Sequence, residues 1–216
     1  MINWRKKNKQ ESVKVTINSI DKGHHNVTYR GVKAIRCPFD YVIYQMLINE
    51  VKPDLIIEIG TRFGGGALYL ADLLDNIGGG IVHTVDIVDN IDEKVKNDRR
   101  IKFFFDGWQG YNLDNAKDFK KILIIEDGSH LYEDTLGILN KFNTLVSEGS
   151  YLIVEDGIIN ELGLEKKYNG GPLRAIREFL PSHSEFFVDR KWCDMFGINA
   201  TFNVNGYLKK KGINFF

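Results

Sequence analysis

Residues 55–74 read LIIEIGTRFGGGALYLADLL. Leu55 to Ile59 is a nearly unbroken apolar run, as a parallel strand covered on both faces requires, and Glu58 is its one charged member. Gly60 then turns the chain, and GGALYLADLLDN reads as a helix opened by glycines. A strand, a glycine turn and a helix start in that order make a nucleotide site. The spacing is not GxGxxG, because Thr61, Arg62 and Phe63 separate Gly60 from Gly64, Gly65 and Gly66. A dinucleotide pyrophosphate cradle is therefore disfavoured, and the missing GK[ST] excludes a P-loop. The plainer reading, a glycine turn that only lets helix and strand pack closely, stays open on the glycines alone.

Three more apolar runs resemble the first in ending on acids: IVHTVDI at Asp86, ILIIEDGSH at Glu126 and Asp127, and YLIVEDG at Glu155 and Asp156. They alternate with helical patterns, as in GGALYLADLLDN and LYEDTLGILNKFNTLV, with RIKFFFDG as a further strand. That alternation predicts βαβ units with right-handed crossovers, hence an α/β, Rossmann-like doubly wound and mostly parallel sheet in three α/β/α layers. CPFDYVIYQMLINEVKPD reads as a helix between Pro38 and Pro53, and GGPLRAIREFLPSH as another. EFFVDR and NGYLKK supply two closing strands, and SVKVTINSI near the start alternates like a short exposed strand. Residues 89–100 are charged and only weakly helical in pattern.

The 216 residues are 43% hydrophobic and 12% aromatic, enough for one core, so a single domain over residues 38–216 with an N-terminal extension over 1–37 is expected. Twenty-nine basic residues balance 29 acidic ones, which argues against nucleic acid or an anionic membrane as partner. The basic stretch from Arg5 to Lys9 is too short to alter that. MINWRKKNKQ lacks a signal-peptide core, and no run approaches the roughly 18 apolar residues of a membrane helix, so a cytoplasmic protein is expected. Cys37 and Cys193 have no partner spacing and read as reduced structural thiols. Trp4, Val13, Val15 and Ile17 suit a cover over the core or a subunit interface, and a homo-oligomer is expected.

Ligands of such a sheet gather beyond the carboxyl ends of its strands, which is where these acids lie. S-adenosylmethionine fits the first pair. Glu58 and Gly60 would meet its methionine end, and Asp86 would accept from its ribose hydroxyls. Asp127, Glu155 and Asp156 lie on strands separated by one helix, so their ends are expected to be neighbours. Three converging carboxylates repel unless a hard dication such as Mg²⁺ or Mn²⁺ neutralises them, the alternative being helix caps or solvated acids. His130, three residues after Asp127, is either a general base there or a histidine that caps the helix or orients a carboxylate. Glu126 should point away from Asp127 by strand alternation. His24 and His25 could contact metal but fit a solvated loop better. Trp108 and Tyr111 could flank an adenine, or pack an edge.

YRGVKAIRCPFDYVIYQMLINEVKPDLIIEIGTRFGGGALYLADLL, IEDGSHLYEDTLGILNKFNTLVSEGSYLIVEDG, GGPLRAIREFL and NGYLKK together resemble the cephalosporin hydroxylase family, from about Tyr29 to the C-terminus. The resemblance implies the class I S-adenosylmethionine-dependent methyltransferase fold, with an antiparallel strand at its C-terminal end, and relatives that methylate sugars such as rhamnose. It implies a cofactor set of Glu58, Gly60, Thr61, Gly64, Gly65, Asp86 and Gly107. It places magnesium on Asp127, Glu155 and Asp156, with His130 and Asp127 as catalytic candidates. Catechol O-methyltransferases carry a lysine three residues after the metal-ligand Asp, where this chain has His130, so the base departs from that pattern.

The expected function is a Mg²⁺-dependent O-methyltransferase acting on a hydroxyl of a sugar or related polar small molecule. The N-terminal segment and residues 158–169 are expected to shape the acceptor pocket. Two other readings are a hydroxylase or oxidoreductase of a secondary metabolite, and a non-catalytic cofactor-binding partner protein. The first is opposed by the absent GxGxxG and by an acid cluster without a two-His-one-carboxylate set, the second by the intact metal candidates.

Overall fold

The computed structural model describes residues 12–212. The chain begins with α1 (Ile17–His24), followed by a two-stranded hairpin of β1 (Thr28–Tyr29) and β2 (Val32–Lys33). Then come α2 (Pro38–Val51), β3 (Leu55–Ile59), α3 (Gly65–Asn76), β4 (Ile81–Val85) and the single turn α4 (Glu93–Lys96). Next are β5 (Ile101–Phe104), α5 (Gly107–Gly110), β6 (Ile122–Glu126), α6 (Tyr132–Phe142) and β7 (Tyr151–Val154). The described chain closes with α7 (Gly171–Phe179), β8 (Phe186–Val188), α8 (Arg190–Cys193) and β9 (Tyr207–Lys210).

One seven-stranded sheet runs in the order β5-β4-β3-β6-β7-β9-β8. The first five strands of that order are parallel, and β9 enters antiparallel between β7 and β8. This bears out the doubly wound class I expectation. The chain leaves β3 toward one edge and returns through β6 on the other side, so β3 and β6 flank the topological switch point. Strand alternation sends Ile56, Leu123, Ile125 and Ile153 to the face covered by α2 and α3. Leu55, Ile57, Ile124 and Leu152 go to the opposite face, under α6 and α7. With both faces dry, every residue of β3, β6 and β7 is buried, which is why these strands read as continuous apolar runs.

Pro38 sits in the first turn of α2, and Lys52 ends that helix in the left-handed conformation just before Pro53. Residues 12–20 depart from the expected strand. Thr16 caps α1 through a reciprocal pair with Ser19, and this capping box outweighs the alternation of Val13, Val15 and Ile17, which stay exposed. The hairpin after α1 lies against α3: Tyr29 donates to Asp72 at 2.8 Å, and a Cβ on Gly65 would come within 2.1 Å of the Lys33 carbonyl. Trp4 and the Arg5 to Lys9 stretch lie outside the described residues. Both cysteines are buried and unpaired, and burial pushes the Cys37 thiol up to about 12.

β9 can enter the sheet because Gly206 has no side chain. A Cβ there would lie 1.9 Å from the Val154 carbonyl, and the Val154 N–H donates to the Gly206 carbonyl at 2.8 Å. Gly206→Ala is expected to lower unfolding free energy by roughly 1–3 kcal/mol, the range for overpacking a filled site. Urea denaturation checks this; an unchanged midpoint would show that the two backbones need not approach so closely.

Candidate functional site

The ladder continues past the strand ends and lines up the acids. Gly60 donates to Val85, Asp127 to Ile59 and Glu155 to Glu126, each at 2.8 Å. Ile59 is in register with Glu126, so Gly60 faces Asp127 directly. Gly60 has φ +107°, and a Cβ on it would meet the Asp127 carbonyl at 1.9 Å. Glycine is therefore required there both by conformation and by space. A cleft of about 850 Å³ opens over this edge. That is large enough for a nucleoside cofactor with an acceptor, since small-molecule pockets run roughly 300–1,000 Å³.

On the cofactor side, Glu58 is buried and accepts from Thr84 Oγ1 at 2.7 Å, and that hydroxyl also bonds Thr61 Oγ1 at 2.7 Å. Burial raises the Glu58 carboxyl to about 7, against the pull of Arg36. Asp86 has a role the sequence did not suggest. One carboxylate oxygen accepts from the Thr61 and Arg62 amides at 3.0 and 2.9 Å, and the other from the Ile87 and Val88 amides at 2.7 and 3.3 Å. It thereby clamps the glycine loop onto the end of β4. Gly64, at φ +81°, caps α3, and a Cβ on Gly66 would lie 2.6 Å from Glu58 Oε1. Gly107, at φ +66°, lies against Ile87 at the cleft wall.

On the acid side, Asp127, His130 and Asp156 each offer a ligand atom within 4.8 Å of the others. His130 Nε2 lies 3.2 Å from Asp156 Oδ2, while Nδ1 is buried without a partner among the described residues. His130 and Asp156 both have positive φ, 59° and 55°. That conformation costs non-glycine residues and concentrates at functional sites. The Asp127 carboxyl is pushed well above its ordinary range, first by burial and then by Glu155 and Asp156, with Arg36 opposing. That is the electrostatic signature of too many acids in one place.

Glu155 differs from its expected place as an open ligand. It is buried, accepts from Arg36 Nε at 3.0 and 3.3 Å, lies 2.8 Å from Arg36 Nη2, and accepts from the Tyr44 hydroxyl at 2.6 Å. Arg36 Nη2 is also 3.7 Å from both Glu58 and Asp127, and the guanidinium stacks 4.7 Å over the Tyr44 ring. The sequence reading missed Arg36 and Tyr44. The only trace of Arg36 is a second cation, after Lys33, in the otherwise apolar run VKAIRCPF, where its neighbours Ala34 and Cys37 are buried.

Other candidates separate. Trp108 lines the cleft over Gly137 of α6 and donates to Asp134 at 3.3 Å, whereas Tyr111 is a core residue whose hydroxyl bonds His83. Asp21, His24 and His25 gather at the cleft rim, not in a solvated loop. His24 Nδ1 is engaged by the Asp21 carbonyl, and its ring packs on Phe202, so helix-end packing accounts for it. Glu126 turns away from the cleft acids into the protein; it is fully buried, and desolvation pushes it to about 8.

Residues 21–106 and 111–211 match the Rhamnosyl O-methyltransferase/CmcI family. A rhamnosyl O-methyltransferase of Mycobacterium leprae is 31% identical over 198 residues, 87% of this chain and 84% of that protein. The Mycobacterium tuberculosis protein of the same name is 31% identical over 160 residues, 70% of this chain and 65% of its own length. Among solved structures, cmcI bound to SAH superposes with a TM-score of 0.69 at 17% identity, covering 98% of this chain and 96% of its own. Its magnesium- and SAM-bound form gives 0.66 at 18% over 87% and 78%. The O-methyltransferase TomG of Streptomyces achromogenes, in complex with SAM, gives 0.54 at 15% over 93% and 92%. At these identities the structures establish a shared fold.

Glu126 predicts a pH dependence. In the unfolded chain it titrates near about 4.3. In the folded protein it titrates at about 8, so the folded state holds the extra proton between those values. Its contribution to stability is complete below about pH 4 and is lost as pH rises through about 8. Glu126→Gln removes that slope, so its melting temperature relative to the unsubstituted protein is expected to rise between pH 5 and pH 9. A difference that stays constant across that range would mean that Glu126 is ionised in the fold.

Proposed function

The chain belongs to the Rhamnosyl O-methyltransferase/CmcI family, and from that premise we propose that it transfers the methyl group of S-adenosylmethionine to a hydroxyl of a sugar or related polar small molecule, assisted by Mg²⁺ or Mn²⁺. The observation that carries this reading is the convergence of Asp127, Asp156 and His130 Nε2 on the same cleft as the glycine loop of Gly60. The donor set fits a hard dication: oxygen-rich, over-charged with carboxylates and open to the cleft. Asp127 and Asp156 would hold it, with Glu155 behind them. A bound dication there would acidify the acceptor hydroxyl and orient it.

The chain's own residues account for the remaining demands of the reaction. Glu58 and Gly60 face the methionine end of the cofactor, and Asp86, which also fixes the glycine loop, stands at its ribose side. Gly64, Gly65 and Thr61 shape that cradle, and Gly107 with Trp108 lies at the adenine side. In the transfer the acceptor oxygen forms a bond to the methyl carbon as the carbon–sulfur bond breaks, and the sulfonium becomes a neutral thioether. His130 Nε2 takes the hydroxyl proton. The Asp156 carboxylate 3.2 Å away stabilises the imidazolium that results. Trp192 and Cys193 belong to the core and take no part.

Exposed apolar side chains at Val13, Val15, Phe196 and Ile198 support a second copy of the chain as partner. Among the described residues no helix is long and apolar enough to cross a membrane.

Melting curves with S-adenosylhomocysteine or NAD, with and without Mg²⁺, test the cofactor assignment. S-adenosylhomocysteine is expected to raise the melting temperature; stabilisation by NAD alone would overturn the reading. Asp156→Ala is expected to lower metal-dependent kcat by roughly a hundredfold or more, the scale of several kcal/mol of lost charge stabilisation, while leaving S-adenosylhomocysteine affinity nearly unchanged. Equal loss of both would count against separate cofactor and metal halves.

A further inference from the structure

Among the described residues, Arg36 is the one guanidinium paired with the site's acids Glu58, Asp127 and Glu155. Its side chain is 2% exposed, yet it lies within 3.7 Å of Glu58, Asp127 and Glu155, and Asp156 adds a further charge beside Asp127. Burial opposes the Arg36 charge, and the acids around it, Glu155 foremost, more than compensate, so the guanidinium stays protonated. Three features fix it in place. Its fork to Glu155 is shared with the Tyr44 hydroxyl, its face rests on the Tyr44 ring, and the backbone on either side is buried at Ala34 and Cys37. Buried carboxylates without a counter-charge are costly, and one guanidinium faces several of them.

We propose that Arg36 is the resident counter-cation of the acid cluster, a positioning residue whose guanidinium, set against Asp127 and Glu155, competes with the dication for the negative charge there. This rests on the metal reading given under Proposed function. The guanidinium offsets the mutual repulsion of Glu155 and Asp127 when the dication is absent. When the dication is present, a second positive charge stands close to its ligands and weakens its hold. The same guanidinium lies beside Glu58, so one side chain links the acid that faces the cofactor to the acids that face the metal. Metal affinity is thereby set below what the carboxylates alone would give.

The test is Mn²⁺ binding, read from loss of the free-ion electron paramagnetic resonance signal, for the unsubstituted protein, Arg36→Gln and Arg36→Lys. Arg36→Gln is expected to bind Mn²⁺ about tenfold more tightly, since a nearby like charge is removed. Arg36→Lys, which keeps the charge, should stay close to the unsubstituted protein. Without metal, Arg36→Gln should melt at lower temperature and recover when Mn²⁺ is added. Equal or weaker Mn²⁺ binding by folded Arg36→Gln overturns the proposal and leaves the metal reading standing. A variant that remains unfolded in saturating Mn²⁺ also overturns it, because the dication then cannot replace the guanidinium. Binding only by Arg36→Gln supports it in its strongest form. Absence of binding in all three proteins removes both the proposal and the metal reading.

Discussion

The pairing of β3 with β6 is the constraint on which the site depends. These strands lie side by side at the switch point, and their register sets Gly60 opposite Asp127 with no room for a side chain between them. A residue at position 60 with a Cβ would force the two strand ends apart. The Asp127 amide would then lose its bond to Ile59, and the Glu155 amide, which bonds to Glu126, would shift with it. The backbone that carries Glu58, Asp127 and Glu155 is therefore placed by main-chain hydrogen bonds of the ladder. Such placement suits chemistry that needs fixed charges, because the reorganisation is complete before the ligands arrive.

Fixing several acids at one edge opposes stability, and the fold offsets it locally. Desolvation raises Glu58, Asp127 and Glu126, so burial works against their charged forms. Arg36 supplies the compensating cation, and Tyr44 both accepts the guanidinium on its ring and donates to Glu155. The left-handed backbone at His130 and Asp156 adds a further cost. Such strain is worth about 1–3 kcal/mol per residue. The paired apolar faces of the sheet carry that burden, since strands β3, β6 and β7 are buried along their whole lengths.

The sheet was legible because physics leaves few alternatives. A parallel strand with helices on both faces must be apolar throughout, so an acid within such a run stands out, and each one marked a strand end. The helix after Gly64, the helix between Pro38 and Pro53 and the two closing strands followed from local signals of the same kind, whereas the antiparallel direction at the C-terminal end came from the family resemblance. What could not be read depends on distant partners. Arg36 and Glu155 are 119 residues apart, and nothing local announces their contact. Asp86 was expected to face a ribose, but its present bonds are to the amides of a loop 24 and 25 residues earlier. Residues 12–20 were misread because alternation in an exposed segment buries nothing, so a four-residue capping box prevailed.

The acids and the rim of the cleft are built differently, and that difference bears on how an acceptor is chosen. Glu58, Asp127, Glu155 and Asp156 stand on or directly after strands locked by the ladder. The rim that an acceptor would meet is built differently: α1 contributes His24, the residue after it is His25, and the segment after β7 contributes Ile158, Leu162 and Tyr168. Those residues sit on a short helix and on turns, whose backbone bonds are mostly local. A substitution there changes the shape of the cleft without disturbing the pairing of Gly60 with Asp127. Methyl transfer requires the carboxylates and the glycine loop to stay in register; acceptor choice requires only that the rim change. A chain that keeps the ladder and varies the rim retains the reaction while its substrate drifts. Family membership at 31% identity can in this way fix the chemistry and leave the acceptor open.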